Sequence, residues 1–391
     1  MYTINNLNVF SDSIEGATLS QMYSALDHEW VVRGVLLPDA HVGYGLPIGG
    51  VVSTRDVVVP SWVGYDIGCG VGAIKTCFKV SDITDYKKEI YDTIIDTVPL
   101  GVGVYRRKSV MSTGQMRDYF GLECSGFLHT LFDQKATHQA GTLGSGNHFA
   151  EIGADEEDNV WILIHSGSRG VGHNCATYYM GIAQPEKGSK EGSFPLDVSS
   201  VTGKEYIMDL AFMLEFALLN RAILLNDVLN CVSSVLGRKT TPFTYKTDSA
   251  LITDERITSF INRNHNHAEY KDGMWIHRKG ATHAEKGMYG VIPGNMRDGS
   301  FIVVGKGCDA SLCSSSHGAG RVLGRKQAKR ELDTIDFVNT MKDVVCGVSN
   351  DPGGLIDESP DAYKNIFTVM EEQQDLVEVK HHIRSLINVK R

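Results

Sequence analysis

The 391-residue chain has no apolar run approaching the roughly 20 residues of a membrane span. Its opening residues, MYTINNLNVFSDS, lack a basic region followed by an apolar stretch, so no secretory signal is expected. There is no CxxC pair. The eight cysteines are scattered between positions 69 and 346, too sparse for a disulfide framework in a chain this long. CDASLC (308–313) is a lone loose pair, which argues against a structural zinc site. Reduced thiols and a cytoplasmic location follow as expectations. Basic residues are in deficit: 38 Lys and Arg face 47 Asp and Glu, a net charge of −9. Such a chain does not coat nucleic acid by bulk charge, although HRKGATHAEK (277–286) and GRVLGRKQAKR (320–330) are locally basic. No Walker A sequence occurs. GYGLPIG misses the dinucleotide fingerprint by one residue and carries a proline inside it.

Low-complexity tracts, fixed-period repeats and Pro/Ser linkers are also absent, and the ten prolines are dispersed. One compact domain is expected. Short apolar runs bounded by glycine read as strands: VVRGVLL, GGVVST, GAIKTCF, VWILIHSG and GSFIVVGKG. Helices are predicted over TLSQMYSALDHE, over 203–236 and over 359–373, with a last strand in DLVEVKHHIRSLINVKR. For 203–236, Thr202 with Glu205 fits a capping box and Gly237 a terminator. That segment is long enough for two helices. It is apolar on nearly all sides, which predicts burial, and its length also permits a protruding insertion. The alternation gives a mixed α/β (α+β) class with mixed sheets.

The chemistry sits in glycine-rich joints. In GYDIGCGVG (64–72), Asp66 and Cys69 face opposite sides if the backbone is a strand. They converge if Gly68 and Gly70 build a turn. A carboxylate with a thiolate suits a borderline-soft divalent cation. The plain alternative is a turn-capping aspartate beside a small buried thiol. His148, His165, His265 and His317 each lie in a separate Gly/Ser/Asn-rich segment, and neutral imidazole is a common ligand of such metals. Together these five loops favour a shared metal site. Arg169 in HSGSRG and Arg321 in HGAGR fit phosphate-binding loops or plain surface turns equally well. Asn220, Arg221 and Asn226, among apolar helix residues, read as buried hydrogen-bonding groups rather than catalytic ones. Nothing in composition or spacing singles out the penultimate Lys390.

From about residue 36 onward, the ordered blocks PDAHVGYGLPIGG, VGYDIGCGVG, GTLGSGNHFAEI, HSGSRG, HNHAE, HRKGAT, PGNM with Ser300, and SSSHGAGR resemble the RtcB family of RNA-splicing and RNA-repair ligases. The resemblance implies a GTP- and Mn²⁺-dependent ligase that joins an RNA 3′-phosphate, or a 2′,3′-cyclic phosphate opened first, to a 5′-hydroxyl through a guanylylated histidine. It implies Asp66, Cys69, His148, His165 and His265 as ligands of two Mn²⁺, with Cys69 bridging, and His317 as the histidine that takes GMP. Nucleotide contacts are implied for Asn147, His148, Phe149, Ala150 and Glu151, for His265 and Asn266, and for Pro293, Gly294, Asn295, Met296 and Ser300. His317, Gly318, Ala319, Gly320, Tyr363 and Lys390 complete that set, with Glu151 and Lys390 toward the guanine. Arg169 and Arg321 would receive RNA phosphates. An archease-type activator is a possible partner, and a monomer is expected. Asn295, Arg297 and His267 depart from residues common in the family. The rival readings are a dimetal phosphatase or nuclease without GTP, and a metal-stabilised RNA-binding protein.

Overall fold

A computed structural model describes residues 1–184, 191–241 and 254–391. The chain contributes strands β1 (Tyr2–Ile4), β2 (Leu7–Val9), β3 (Val31–His41), β4 (Ile48–Thr54), β5 (Val57–Val58), β6 (Gly70–Lys79), β7 (Phe149–Ala154), β8 (Asn159–Ser166) and β9 (Leu196–Asp197). After the long helix Val201–Val235 come β10 (Ile257–Asn264), β11 (Asn266–Lys271), β12 (Met274–Lys279), β13 (Ala281–His283), β14 (Tyr289–Pro293), β15 (Ser300–Gly305), β16 (Ser314–Ser316), β17 (Val345–Cys346) and β18 (Val377–Val389). A six-stranded sheet runs β1-β2-β3-β4-β12-β11. A larger sheet runs β10-β6-β8-β7-β18-β15-β14, with β17 beside β18. Pairing is antiparallel except for β2 with β3 and β17 with β18, so the expected mixed class and mixed sheets are found. Residue 265 is the single step between β10 in one sheet and β11 in the other. No helix among the described residues is long and apolar enough to cross a membrane.

The segment predicted over 203–236 is one helix of 35 residues, not two. Its N-cap is Ser200, whose Oγ accepts the Gly203 N–H at 3.0 Å; the expected cap, Thr202, already lies inside the helix. Gly237 does terminate it, with φ +62° and its N–H on the Ser234 carbonyl. The helix does not stand off as an insertion. Leu224, Leu225, Val228 and Val232 are buried against β6, β7, β8 and the helix Lys87–Thr97. Phe212, Met213 and Phe216 are buried against the helices Gly126–Gln134 and Arg169–Ala183.

Its polar residues hold the glycine-rich joints in place. Arg221, fully buried, donates to the carbonyls of Gly68 (2.8 Å) and Ser166 (2.9 Å) and to the side-chain oxygens of Asn262 and Asn264 (2.6 Å each). Asn220 accepts the N–H groups of Gly141 and Thr142 and donates to Ser166 Oγ and the Gly167 carbonyl. These are the buried structural roles the sequence suggested, and they tie four chemistry-bearing segments to one post.

Two helix predictions need correction. The first helix spans Gly16–Leu26, so His28 lies beyond it, stacked on Trp30. The stretch 359–373 is not one helix. It opens as short 3₁₀ turns and becomes helical only at Ile366–Glu372, with Asn365 as its N-cap. Lys364 instead donates to the carbonyls of Pro38 and Ala40, which fixes an irregular backbone beside β3.

Candidate active site

Residues 66–69 form a turn closed by the Cys69 N–H, which donates to the Asp66 carbonyl at 3.0 Å. Gly68, third in the turn, has φ +71°, a conformation side chains rarely adopt. A Cβ on Gly68 would stand 2.7 Å from Ala217 of the long helix; one on Gly70 would stand 2.0 Å from the Arg263 carbonyl oxygen. The glycines thus let two side chains three residues apart reach one point while β6 presses against β10.

Around that point the histidines gather. Cys69 Sγ lies 3.4 Å from His148 Nε2 and 3.3 Å from His165 Nε2. His165 Nε2 lies 3.3 Å from His265 Nε2, and His148 Nε2 lies 3.0 Å from Asp66 Oδ2. Two triads result, Asp66–Cys69–His148 and Cys69–His165–His265, each with its donor atoms within 4.8 Å of one another. Cys69 belongs to both. The rings are held from behind: His165 Nδ1 donates to the Asn147 carbonyl and His148 Nδ1 accepts from Arg169, both at 3.0 Å. Burial keeps His148, His165 and His265 below the ordinary imidazole range, so their lone pairs are available. Burial, with the Asp66 carboxylate beside it, pushes the Cys69 thiol well up; that proton leaves only against an arriving cation. Three imidazoles, one carboxylate and a shared sulfur fit two borderline-soft divalent ions.

His317 follows β16, its ring 4.8 Å from that of His265. Its Nδ1 donates to Asp39 Oδ2 at 2.6 Å, and its backbone N–H reaches the same oxygen at 3.1 Å. Asp39 is fully buried. Burial opposes its ionisation, but the neighbouring His317 ring holds the carboxyl below its usual range. In the neutral ring this hydrogen bond selects the Nδ1–H tautomer, in which Nε2 carries the lone pair.

A cavity of about 440 Å³ covers both groups. Its far wall is built from the larger sheet and the last residues of the chain. Glu151 on β7 is paired in register with Asn388 on β18. Ser300 Oγ donates to Glu151 Oε2 at 3.0 Å, while Glu151 Oε1 and Asn388 Oδ1 are buried without a partner among the described residues. Burial, opposed by the Ser300 hydrogen bond, raises the Glu151 carboxyl to about 8. Lys390 pairs with buried Glu358, which also accepts the Tyr363 hydroxyl at 2.6 Å.

Over residues 21–391 the chain matches the family model described as tRNA-splicing ligase RtcB. The chain belongs to the RtcB family. It is 35% identical to RNA-splicing ligase RtcB of Escherichia coli strain K12, across 96% of this chain and 95% of that protein. It is likewise 35% identical, with the same coverage, to RNA-splicing ligase RtcB1 of Escherichia coli strain ATCC 25922. The tRNA-splicing ligase RtcB of Pyrobaculum aerophilum is 30% identical, across 90% of this chain and 85% of that protein.

Most residues singled out by the RtcB resemblance do line this cavity, including Asn147, Phe149, Asn266, Pro293–Met296, Gly318–Gly320, Tyr363 and Lys390. Four sit differently. Ala150 is buried in β7 beneath the wall. Ser300 is connected through Glu151. His148 and Arg169 line a second cavity, which shares Tyr65 and Asp66 with the first. Arg321 lines the first cavity but is engaged there, with its guanidinium on the Asp357 carbonyl and the Tyr363 hydroxyl. Of Asn295, Arg297 and His267, only Asn295 lines the cavity. Arg297 pairs with Asp298 at the surface, and His267 stacks on His283 and accepts from buried Arg278.

Sequence reasoning passed over Asp39, His41, Lys279, Glu358 and Asn388. Asp39 and His41 had a signal: charged residues inside the apolar run LLPDAH of a buried strand. Lys279, in HRKGAT, donates to the carbonyls of Tyr44 and Ser61, and burial lowers its ammonium to about 7. Glu358 and Asn388 carry no local signal; only the fold brings them to the wall.

Proposed function

We propose that this RtcB-family chain is a GTP- and Mn²⁺-dependent RNA ligase that seals RNA 3′-phosphate or 2′,3′-cyclic phosphate ends to 5′-hydroxyl ends in tRNA splicing or RNA repair. The observation that carries the reading is His317. A histidine with Nδ1 anchored on a buried carboxylate, beside two metal-ligand triads and lining a nucleotide-sized cavity, is arranged as a nucleophile.

Nε2 of His317 attacks the α-phosphorus of GTP, forming an N–P bond while the bond to the pyrophosphate oxygen breaks. Asp39 keeps the Nδ1 proton and stabilises the positive charge that grows on the ring. An oxygen of the RNA 3′-phosphate then takes the GMP, breaking the N–P bond. The 5′-hydroxyl attacks the activated 3′-phosphorus, loses its proton and expels GMP. Asp66, Cys69, His148, His165 and His265 would hold the two cations, which supply charge neutralisation on the phosphates. Glu151, Asn388 and Lys390 present hydrogen-bonding groups to the base edge, which is how a buried wall selects guanine.

Incubation with labelled GTP and Mn²⁺ should attach GMP to the wild-type protein, with the adduct mapped to His317 by mass spectrometry. His317→Ala should carry none. A fully labelled His317→Ala protein, or joining of a nicked RNA without GTP, would overturn the reading in favour of a phosphatase or nuclease type of site.

A further inference from the structure

The carboxylate that orients His317 is gripped through one oxygen. Asp39 Oδ2 takes both His317 bonds, while Oδ1 is buried without a hydrogen-bond partner among the described residues. The aim of that carboxylate therefore rests on the backbone that carries it. The backbone there is not a regular ladder. Between β3 and β4 the register runs Leu36 with Gly50 and then jumps to His41 with Ile48, which leaves residues 37–40 outside the pairing. Such an irregularity re-aims a side chain, but it frees backbone groups that need other partners.

Lys364 supplies them. Half-buried, its Nζ donates to the Pro38 carbonyl at 3.1 Å and the Ala40 carbonyl at 2.9 Å, the two that flank Asp39. Its backbone N–H donates to the Gly320 carbonyl at 2.9 Å, in the loop just past His317. Strand and loop touch at that point: a Cβ on Gly320, where φ is +74°, would stand 2.3 Å from the Asp39 carbonyl oxygen. One residue thus grips both the strand that carries the carboxylate and the loop that carries the histidine. Because the donor is an ammonium, its bonds are charge-assisted and stronger than neutral ones. Its charge also favours the ionised form of Asp39.

We infer that Lys364 is a positioning residue for guanylylation: it fixes Asp39 against the His317 loop and so sets the Nδ1 hydrogen bond that presents Nε2 to the nucleotide. The inference rests on the ligase reading and adds to it a residue that lines neither cavity. Lys364 acts through Asp39, and its loss therefore slows the chemical step without weakening the binding of GTP or metal.

The test uses the full chain with Mn²⁺ and saturating GTP. Lys364→Met keeps the length of the side chain and removes its charge and donors. Single-turnover guanylylation should fall about 10- to 100-fold, as misplacement of a reacting group by a fraction of an ångström to an ångström does. GTP affinity by calorimetry should stay within about twofold and metal content unchanged. Added to Asp39→Asn, the same substitution should cost less than about twofold more, because the contact it sets is already lost. Thermal melting checks that the variants fold, and Lys364→Gln replaces the methionine variant if that one does not. A wild-type rate in the folded variant, an equal loss in the Asp39→Asn background, or a loss that follows GTP affinity or metal content overturns the inference. A second readout needs no turnover. In the chain labelled with ¹⁵N-histidine and loaded with diamagnetic Zn²⁺, the His317 Nδ1–H resonance, identified by its absence from His317→Ala, should shift or vanish in the Lys364 variant; an unchanged resonance counts against the inference. Failure of the ligase reading looks different: the wild type takes no GMP from GTP, while the dependence of that resonance on Lys364 stands.

Discussion

The two walls of the proposed nucleotide cavity are built on opposite principles. On the metal side, buried imidazoles and a thiol are kept neutral by desolvation, without an opposite charge at hand except Asp66. On the other side most polar groups are already paired, Lys390 and Tyr363 on Glu358, Ser300 on Glu151 and Arg321 on Tyr363, while Glu151 Oε1 and Asn388 Oδ1 have no partner among the described residues. The first wall gathers neutral donors of the kind that hold a cation. The second is a largely prepaired surface, which on the proposed reading a base would meet by exchanging partners. The walls should therefore fail differently. Loss of a metal-side group removes the chemistry; loss of a base-side group shifts affinity and selectivity.

The sharpest break is at the one atom shared by both triads. Cys69→Ala should lower metal content by elemental analysis from two ions toward one or none, and cut guanylylation by about 10³-fold or more, as loss of a shared first ligand does to a dimetal site. Retention of both metals with normal labelling would mean that the sulfur does not bridge. Next is Asp39→Asn, which leaves the shape nearly intact but removes the charge that holds the proton on His317 Nδ1. Guanylylation should fall about 10²- to 10⁴-fold, by analogy with other carboxylate–histidine pairs, while metal content stays at the wild-type value. A loss of metal in this variant would put Asp39 on the cation side of the cavity instead.

The same contrast explains what could be read from the sequence. The metal wall was legible because its chemistry is local. Asp66, Cys69, His148, His165 and His265 lie in short glycine-rich segments, and thiol, carboxylate and imidazole have few other reasons to recur there. The turn at Gly68 was legible too, because two ligands three residues apart need it. The base wall was not. Glu151, Asn388 and Lys390 become neighbours only through the antiparallel pairing of β7 with β18, which joins positions more than 200 residues apart. Lys390 entered the sequence reading only through family resemblance, and Glu358 did not enter at all. The long helix was found, but its role was not. Arg221 and Asn220 read correctly as buried hydrogen-bonding groups, while the backbone carbonyls they hold, on the Gly68 turn and the end of β8, are fixed only by the fold.

A milder break comes from pH on the base wall. Burial raises the Glu151 carboxyl to about 8, against an ordinary value of 4.5. Because the folded state favours the protonated form, the stability it contributes is complete below about 4.5 and is lost as pH rises to about 8. Guanine offers N–H donors, which need the ionised acceptor. GTP affinity should therefore weaken by up to about tenfold for each pH unit below about 8. Glu151→Gln should flatten that dependence and bind more weakly at pH 9. Calorimetric titrations between pH 6 and 9 measure both; a wild-type profile without slope would remove Glu151 from the base edge.

The smallest effects belong to Asn295, which lines the cavity, and Arg297, which lies outside it. Asn295 holds a turn: its Oδ1 accepts the N–H groups of Arg297 and Asp298, and its Nδ2 donates to Asp298 Oδ2. Asn295→Ala should cost about 1 kcal/mol of stability, the usual worth of such a side-chain-to-backbone closure. It should loosen GTP binding only as far as the turn moves Met296 and Gly294 on the cavity wall. Arg297 sits over Asp298 with its side chain 47% exposed, in an ion pair of the kind that contributes under 1 kcal/mol. Arg297→Ala should therefore leave both melting temperature and GTP affinity within experimental error. A several-fold change in GTP affinity there would show that the guanidinium swings from Asp298 onto the nucleotide, and the base wall would then extend one residue further than its hydrogen bonds now reach.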